Sequence, residues 1–195
     1  MDIALGILAG LMHIIAFVIY NKQMIQGTSS PNVATWTAWS FLTFLNLGSY
    51  LVMSGDFIKS LLPLASSLAT LFTFIFAIAK GKFSRIDKWD GISLVIGLFA
   101  GFVWWYYSSA MYANFILQAS IVVSFIPTYR GLWINPRNET PLPWVIWAGA
   151  YILSLVVVFL RWNNQLQDIA YPVVCFVLHI VVAILSKRKL KTMGV

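Results

Sequence analysis

The sequence predicts an all-α membrane protein: seven transmembrane helices in two parallel three-helix bundles joined by a linker helix (3+1+3), with the N-terminus outside and the C-terminus inside. Three observations predict it. Hydrophobic residues make up 60% of the 195 residues and charged residues 10%, against roughly 25% charged in a soluble domain. Apolar runs recur at about 3–20, 34–53, 58–79, 92–109, 111–129, 144–160 and 169–186, each near the roughly 20 residues that cross a hydrocarbon core as a helix. The chain also repeats itself: Trp36-x-x-Trp39 returns as Trp144-x-x-Trp147 about 108 residues later, and Pro63 as Pro172 about 109 later.

Each run has its own justification. Lipid offers no partner to an open strand edge, so the runs are helices despite the β-branched stretches at Ile121–Ile126 and Val156–Val158. Run 3–20 lacks a basic leader and a small-residue cleavage site, and is expected to be retained. Run 34–53 opens on the first tryptophan pair. Run 58–79 carries Pro63 in its first turn, where a missing N–H has no helical partner, and exits through Ala77-Ile78-Ala79-Lys80-Gly81-Lys82. Run 92–109 has no counterpart and ends in Trp104-Trp105-Tyr106-Tyr107, as an interfacial aromatic belt would. Runs 111–129, 144–160 and 169–186 repeat the first three, and the last exits through Ala183-Ile184-Leu185-Ser186-Lys187-Arg188. Residues 1–82 thus form the first bundle, 83–110 a cytoplasmic loop and linker helix, and 111–195 the second bundle with a basic tail. A triple that starts outside ends inside, so one extra crossing is needed before an identical triple can begin; the repeats are therefore parallel, related about the membrane normal.

Charge placement gives the orientation. With the N-terminus outside, Lys22, Lys80, Lys82, Arg85, Lys88, Arg130, Arg137, Lys187, Arg188, Lys189 and Lys191 share one side, and only Lys59 and Arg161 fall on the other. The positive-inside rule makes the crowded side cytoplasmic. The net charge of +7 is thus a membrane-topology signal, and no nucleic-acid partner is expected. Partners are the bilayer and a small solute; two triples in one chain suffice for a passage, with a homo-oligomer left open. A plasma or bacterial inner membrane is the expected location.

Several classes fall away. No His/Cys/Asp/Glu cluster has metal-ligand spacing, and there is no phosphate loop or nucleophile elbow. No enzyme activity and no cofactor are expected. Cys175 is the only cysteine, so no intrachain disulfide forms. Asn138-Glu139-Thr140 matches the glycosylation pattern but falls on the cytoplasmic side. The six acidic residues lie at or near helix ends, which suits solvated caps. The first lysine after Pro172 is Lys187, which excludes a retinal-binding lysine midway along the last helix.

The 3+1+3 plan resembles the SWEET and PQ-loop superfamily. The similar features are the first cytoplasmic connection, Tyr20-Asn21-Lys22-Gln23 then Gly27-Thr28-Ser29-Ser30-Pro31-Asn32 before Thr35-Trp36, and the second, Ile126-Pro127-Thr128-Tyr129-Arg130 then Asn135-Pro136 and Pro141-Leu142-Pro143-Trp144. The family's Pro-Gln pair is absent: Thr128 follows Pro127, and no proline lies near Val18. The resemblance implies a mid-depth substrate pocket with polar side chains from the third and seventh helices, and sugar-like solutes come into view.

Candidate site residues follow from the repeat. Thr70 matches His179 by the proline offset, and Asn46 matches Ser154 by the tryptophan offset. With Asn114 and Gln118 they form the expected substrate-binding set. Interhelical hydrogen bonding worth roughly 1 kcal/mol each is the competing role for such groups. His13 is similar but lacks a polar counterpart. Trp36, Trp39, Trp144, Trp147 and Pro127 are the expected gate, with interfacial anchoring the competing role for the tryptophans. The expected function is movement of a small polar or amphipathic solute by alternating access between the bundles. A receptor or sorting protein on the same scaffold, and a lipid-handling membrane protein, are the alternatives.

Overall fold

The computed structural model describes residues 1–29, 33–79 and 88–188. Among these the chain is helical, with no strand: α1 (Asp2–Gln26), α2 (Val33–Ser54), α3 (Leu61–Ala79), α4 (Lys88–Tyr107), α5 (Ala110–Ser124), α6 (Ile126–Ile134), α7 (Pro141–Leu160) and α8 (Gln167–Ser186), with a single 3-10 turn at Pro136–Asn138. Six stretches are long and apolar enough to cross a membrane: α1, α3, α4, Ala110–Ile134, α7 and α8. The molecule therefore has the helices of an integral multi-pass membrane protein. Helix α2 is long enough at 22 residues but is more polar, and it buries Thr35, Ser40, Asn46, Ser49 and Ser54 inside the molecule. Lys80, Lys82, Arg85, Asp87, Lys189 and Lys191, with the expected boundary at 82/83, lie outside the described residues.

Helix ends depart from the apolar runs for local reasons. Helix α1 continues to Gln26 and stops at Gly27, whose φ of 74° is the left-handed cap that glycine adopts at little cost. Helix α3 starts at Leu61 rather than 58 because Asp56 first closes a turn, its Oδ1 accepting from the Ile58 N–H at 2.9 Å. The expected run 111–129 is broken at Phe125 and resumes as α6. Pro127 supplies the reason, since it cannot donate to the Val123 carbonyl and its ring crowds that turn.

Pro172 is a correction. Helix α8 begins at Gln167, so Pro172 lies inside the helix rather than in its first turn. Its missing N–H frees the Asp168 carbonyl one turn earlier, and the Tyr50 hydroxyl donates to that oxygen at 2.9 Å. The vacancy is filled from another helix.

The solvated-cap expectation for the acids is also corrected. Asp90, Glu139 and Asp168 are buried, and each has a partner that offsets desolvation. Thr35 Oγ1 donates to Asp90 at 2.8 Å, Tyr20 to Glu139 at 3.1 Å, and Lys59 Nζ to Asp168 at 2.6 Å. Lys59 is itself only 2% exposed. Nearby, Arg161 bonds both Asp56 and Asp2. Partial burial alone would raise the Asp56 carboxyl; the Arg161 bond and the Ile58 N–H hold it below its ordinary value. One end of the molecule is thus clasped by ion pairs, and Glu139 marks the other end.

Helix α1 packs against α3 and α7, α2 against α3 and α5, α7 against α8, and α4 against α5. The residues enclosed between α1, α2, α7 and α8 are largely aromatic.

Candidate functional site

A small cavity of about 50 Å³ lies at the middle of the molecule. It has room for a few water molecules. Its wall is made of the residues that the repeat relates. Trp36 faces it with Trp144, Trp39 with Trp147, Phe17 with Phe125, and Thr43 with Tyr151. Ser66 joins Cys175, Thr70 joins His179, and His13 joins Ile121. Every one of these pairs is separated by 108 or 109 residues. Of the sixteen lining residues, only Leu42 and Tyr171 line it without their partner. Such pairing is what a cavity on an axis relating two similar halves produces.

The polar groups are held in fixed states. The Thr70 hydroxyl lies 2.8 Å from that of Thr43 and donates to the carbonyls of Ser66 and Ser67 at 2.9 and 3.0 Å. His179 Nδ1 lies 2.7 Å from the Cys175 carbonyl oxygen. A carbonyl only accepts, so Nδ1 carries the proton and Nε2 of the neutral ring is an acceptor. His13 is 1% exposed and neither of its ring nitrogens has a partner among the described residues. Tyr151 stands between the two imidazoles, its ring 5.4 Å from that of His13 and 5.0 Å from that of His179. Two imidazoles therefore offer hydrogen-bonding edges within aromatic walls, and no acidic or permanently basic side chain lines this cavity.

A second cavity of about 110 Å³ opens at the Glu139 end. Trp36, Trp39 and Trp144 line both cavities, so their indoles form the septum between them. The septum is braced. Trp39 Nε1 donates to Ser124 Oγ at 2.8 Å and Trp144 Nε1 to Glu139 Oε2 at 3.4 Å. The Tyr20 ring packs 5.3 Å from Trp36 and 6.1 Å from Trp144. Trp36, Trp144 and Trp147 are each about 2% exposed or less. They pack in the interior, and interfacial anchoring is not their role.

The remaining candidates lie elsewhere. Asn46, Asn114 and Gln118 bond one another: Asn114 Nδ2 and Gln118 Nε2 donate to Asn46 Oδ1 at 3.1 and 2.9 Å. Asn114 also donates to Ser49 Oγ at 3.0 Å. This amide cluster ties α2 to α5 and does not line the central cavity. Ser154 is buried on α7 and does not line it either. The positions in α1 equivalent to Asn114 and Gln118 are Gly6 and Gly10, so Ser154 meets no matching amides. Pro127 borders the second cavity beside the break between α5 and α6.

Three features escaped the sequence reading. His13 lacks a polar repeat counterpart, its partner being the apolar Ile121, and so stands outside the paired positions. Glu139 sits in a connection between Pro136 and Pro141 and read as solvated. Lys59 read as an outer-side charge and Asp168 as a solvated cap, although their separation of 109 residues equals the proline offset and could have found them. Comparisons of this chain with family models, with curated proteins and with solved structures find no match.

Proposed function

We propose that the chain is a membrane transporter in which two parallel three-helix units, α1–α3 and α5–α8, rock about the central cavity, with α4 as the linker. The observation that carries this reading is the cavity wall, built almost wholly from repeat-related pairs. A binding site on the axis between two similar units is the arrangement that alternating access exploits. Helix α2 is then the seventh span, its polar face satisfied by α3, α5 and the cavity. The basic residues place the Glu139 end in the cytoplasm and the Lys59 end outside. The plan is that of the SWEET and PQ-loop superfamily.

Both exits are closed in this conformation. Outside, the Lys59–Asp168 pair joins the loop before α3 to the start of α8, and Arg161 joins the end of α7 to Asp56 and Asp2. Inside, the tryptophan septum divides the central cavity from the vestibule. Solute entry requires one of these to part and the 50 Å³ cavity to widen. Aromatic faces and neutral imidazoles suit a small solute with an apolar body and a hydrogen-bonding edge; an anion would find no counter-charge. The central wall holds no carboxylate, which favours a passive uniporter.

Proteoliposome uptake across a panel of neutral and cationic small solutes tests the reading. Saturable uptake is expected for at least one, blocked by maleimide at Cys175, the only cysteine and a lining residue. Absence of saturable uptake for every solute, from protein that remains folded, would overturn it.

A further inference from the structure

We infer that the vestibule at the Glu139 end is a binding station for a small organic cation, held between the Glu139 carboxylate and the indoles of Trp36, Trp39 and Trp144. Its place on the solute's path rests on the transport reading; the site itself does not.

Glu139 is the one charged side chain among the described residues that line the vestibule. Glu139 is 8% exposed. Its two oxygens accept from Tyr20 and from Trp144, the Ser29 hydroxyl also favours its charged form, and a carboxylate has about four lone-pair positions. No lysine or arginine pairs with it among the described residues. Among the described residues that line the vestibule, none is a lysine or an arginine. Helix α1 presents Tyr20, and its Lys22 is exposed; Arg130 and Arg137 of the segment before Glu139 are exposed as well. From α2, Thr35 lines the vestibule while bonding Asp90 of α4, which places a second acid behind the wall. His179 of α8 lies across the septum, lining the other cavity. Burial accordingly pushes the Glu139 carboxyl up to about 7, although the Tyr20 and Trp144 bonds pull the other way.

The walls select the kind of cation. Indole faces attract a desolvated cation by roughly 2 kcal/mol or more. A hard metal ion would want several oxygen ligands, and no group of three or more His, Cys, Asp or Glu residues is found among the described residues. About 110 Å³ of space is about the share of three or four liquid waters, enough for a compact head group. A single carboxylate within aromatic walls suits a soft ammonium-type head.

Choline and its uncharged isostere 3,3-dimethylbutan-1-ol test this on the purified full-length protein in detergent. Tryptophan fluorescence and calorimetry read the binding, which requires no transport. At pH 8.5 choline is expected to bind saturably and at least tenfold more tightly than the alcohol. Choline's charge does not change with pH, so protonation of Glu139 at pH 5.5 should weaken it about thirtyfold. Glu139→Gln should remove the preference at pH 8.5 by tenfold or more; should that variant not fold, the pH arm on the natural sequence decides. Equal binding of the two compounds, no saturable choline binding at pH 8.5, or a preference that survives pH 5.5 or Glu139→Gln would overturn the inference. Uptake of solutes without any choline site would leave the transport reading standing, and a choline site without uptake would do the reverse.

Discussion

Removing one member of the Lys59–Asp168 pair should be among the most damaging single changes in this protein. The ammonium and carboxylate lie 2.6 Å apart with side-chain exposures of 1% and 0%. Asp168 Oδ1 has no hydrogen-bond partner among the described residues, so Lys59→Met would strip the carboxylate of its one side-chain contact. An uncompensated buried charge of this kind costs roughly 3–5 kcal/mol. Lys59→Met/Asp168→Leu removes both charges and is expected to recover most of that loss, because paired desolvation offsets much of the Coulomb gain. The exchange Lys59→Asp/Asp168→Lys is informative because the two positions are repeat equivalents. Lys59 also donates to Asn163 at 3.0 Å, and the equivalent of Asn163 is the buried Ser54, a shorter acceptor. The exchanged pair should therefore fall between the single and double variants. Reversible unfolding in mixed micelles measures all three, and alkylation of Cys175 from the outer face should accelerate in Lys59→Met as the seal loosens. A cost below about 1 kcal/mol for Lys59→Met, or a double variant no better than the single, would refute the reasoning.

Glu139 makes stability depend on pH. Its carboxyl is raised by burial to about 7 from an ordinary 4.5, so its contribution is fully present below pH 4.5 and is lost as pH rises through 7. The difference amounts to roughly 3 kcal/mol; melting temperature should fall across that window and flatten in Glu139→Gln. Gly97→Ala would place a Cβ 2.5 Å from Leu42 Cδ2, a residue of the central wall. Overpacking of about 1–3 kcal/mol should push Leu42 into the cavity and weaken solute affinity several-fold, as a binding titration would show. Asn114→Ala leaves Asn46 and Ser49 short of a donor and should cost about 1–3 kcal/mol in unfolding, while uptake by the folded fraction stays unchanged.

The repeat made part of the site legible. Two residues that sit at the same place in duplicated units must lie at the same depth, so offsets of 108 and 109 brought Thr70, His179 and the four tryptophans into view together. Depth alone does not say which face a side chain takes. Asn46, Asn114 and Gln118 turn to one another, because a buried amide needs several partners and finds them in the nearest amides. His13 was visible only as a polar group without a polar counterpart, since its repeat position is the apolar Ile121. Helix existence was readable from apolar length. The break at Phe125 and the internal position of Pro172 were not, because both depend on where hydrogen bonding restarts beside a proline.

Lys59 and Asp168 hold the same address in the two units yet carry opposite signs. Were either unit to assemble with a copy of itself, that contact would bring two ammonium groups, or two carboxylates, face to face in a dry interior. Two different residues at these positions of one polypeptide permit complementary charges there, and under the two-unit reading the complementarity makes each unit dependent on the other. Under the two-unit reading, coexpressed separate halves should therefore assemble with each other, and neither should assemble alone.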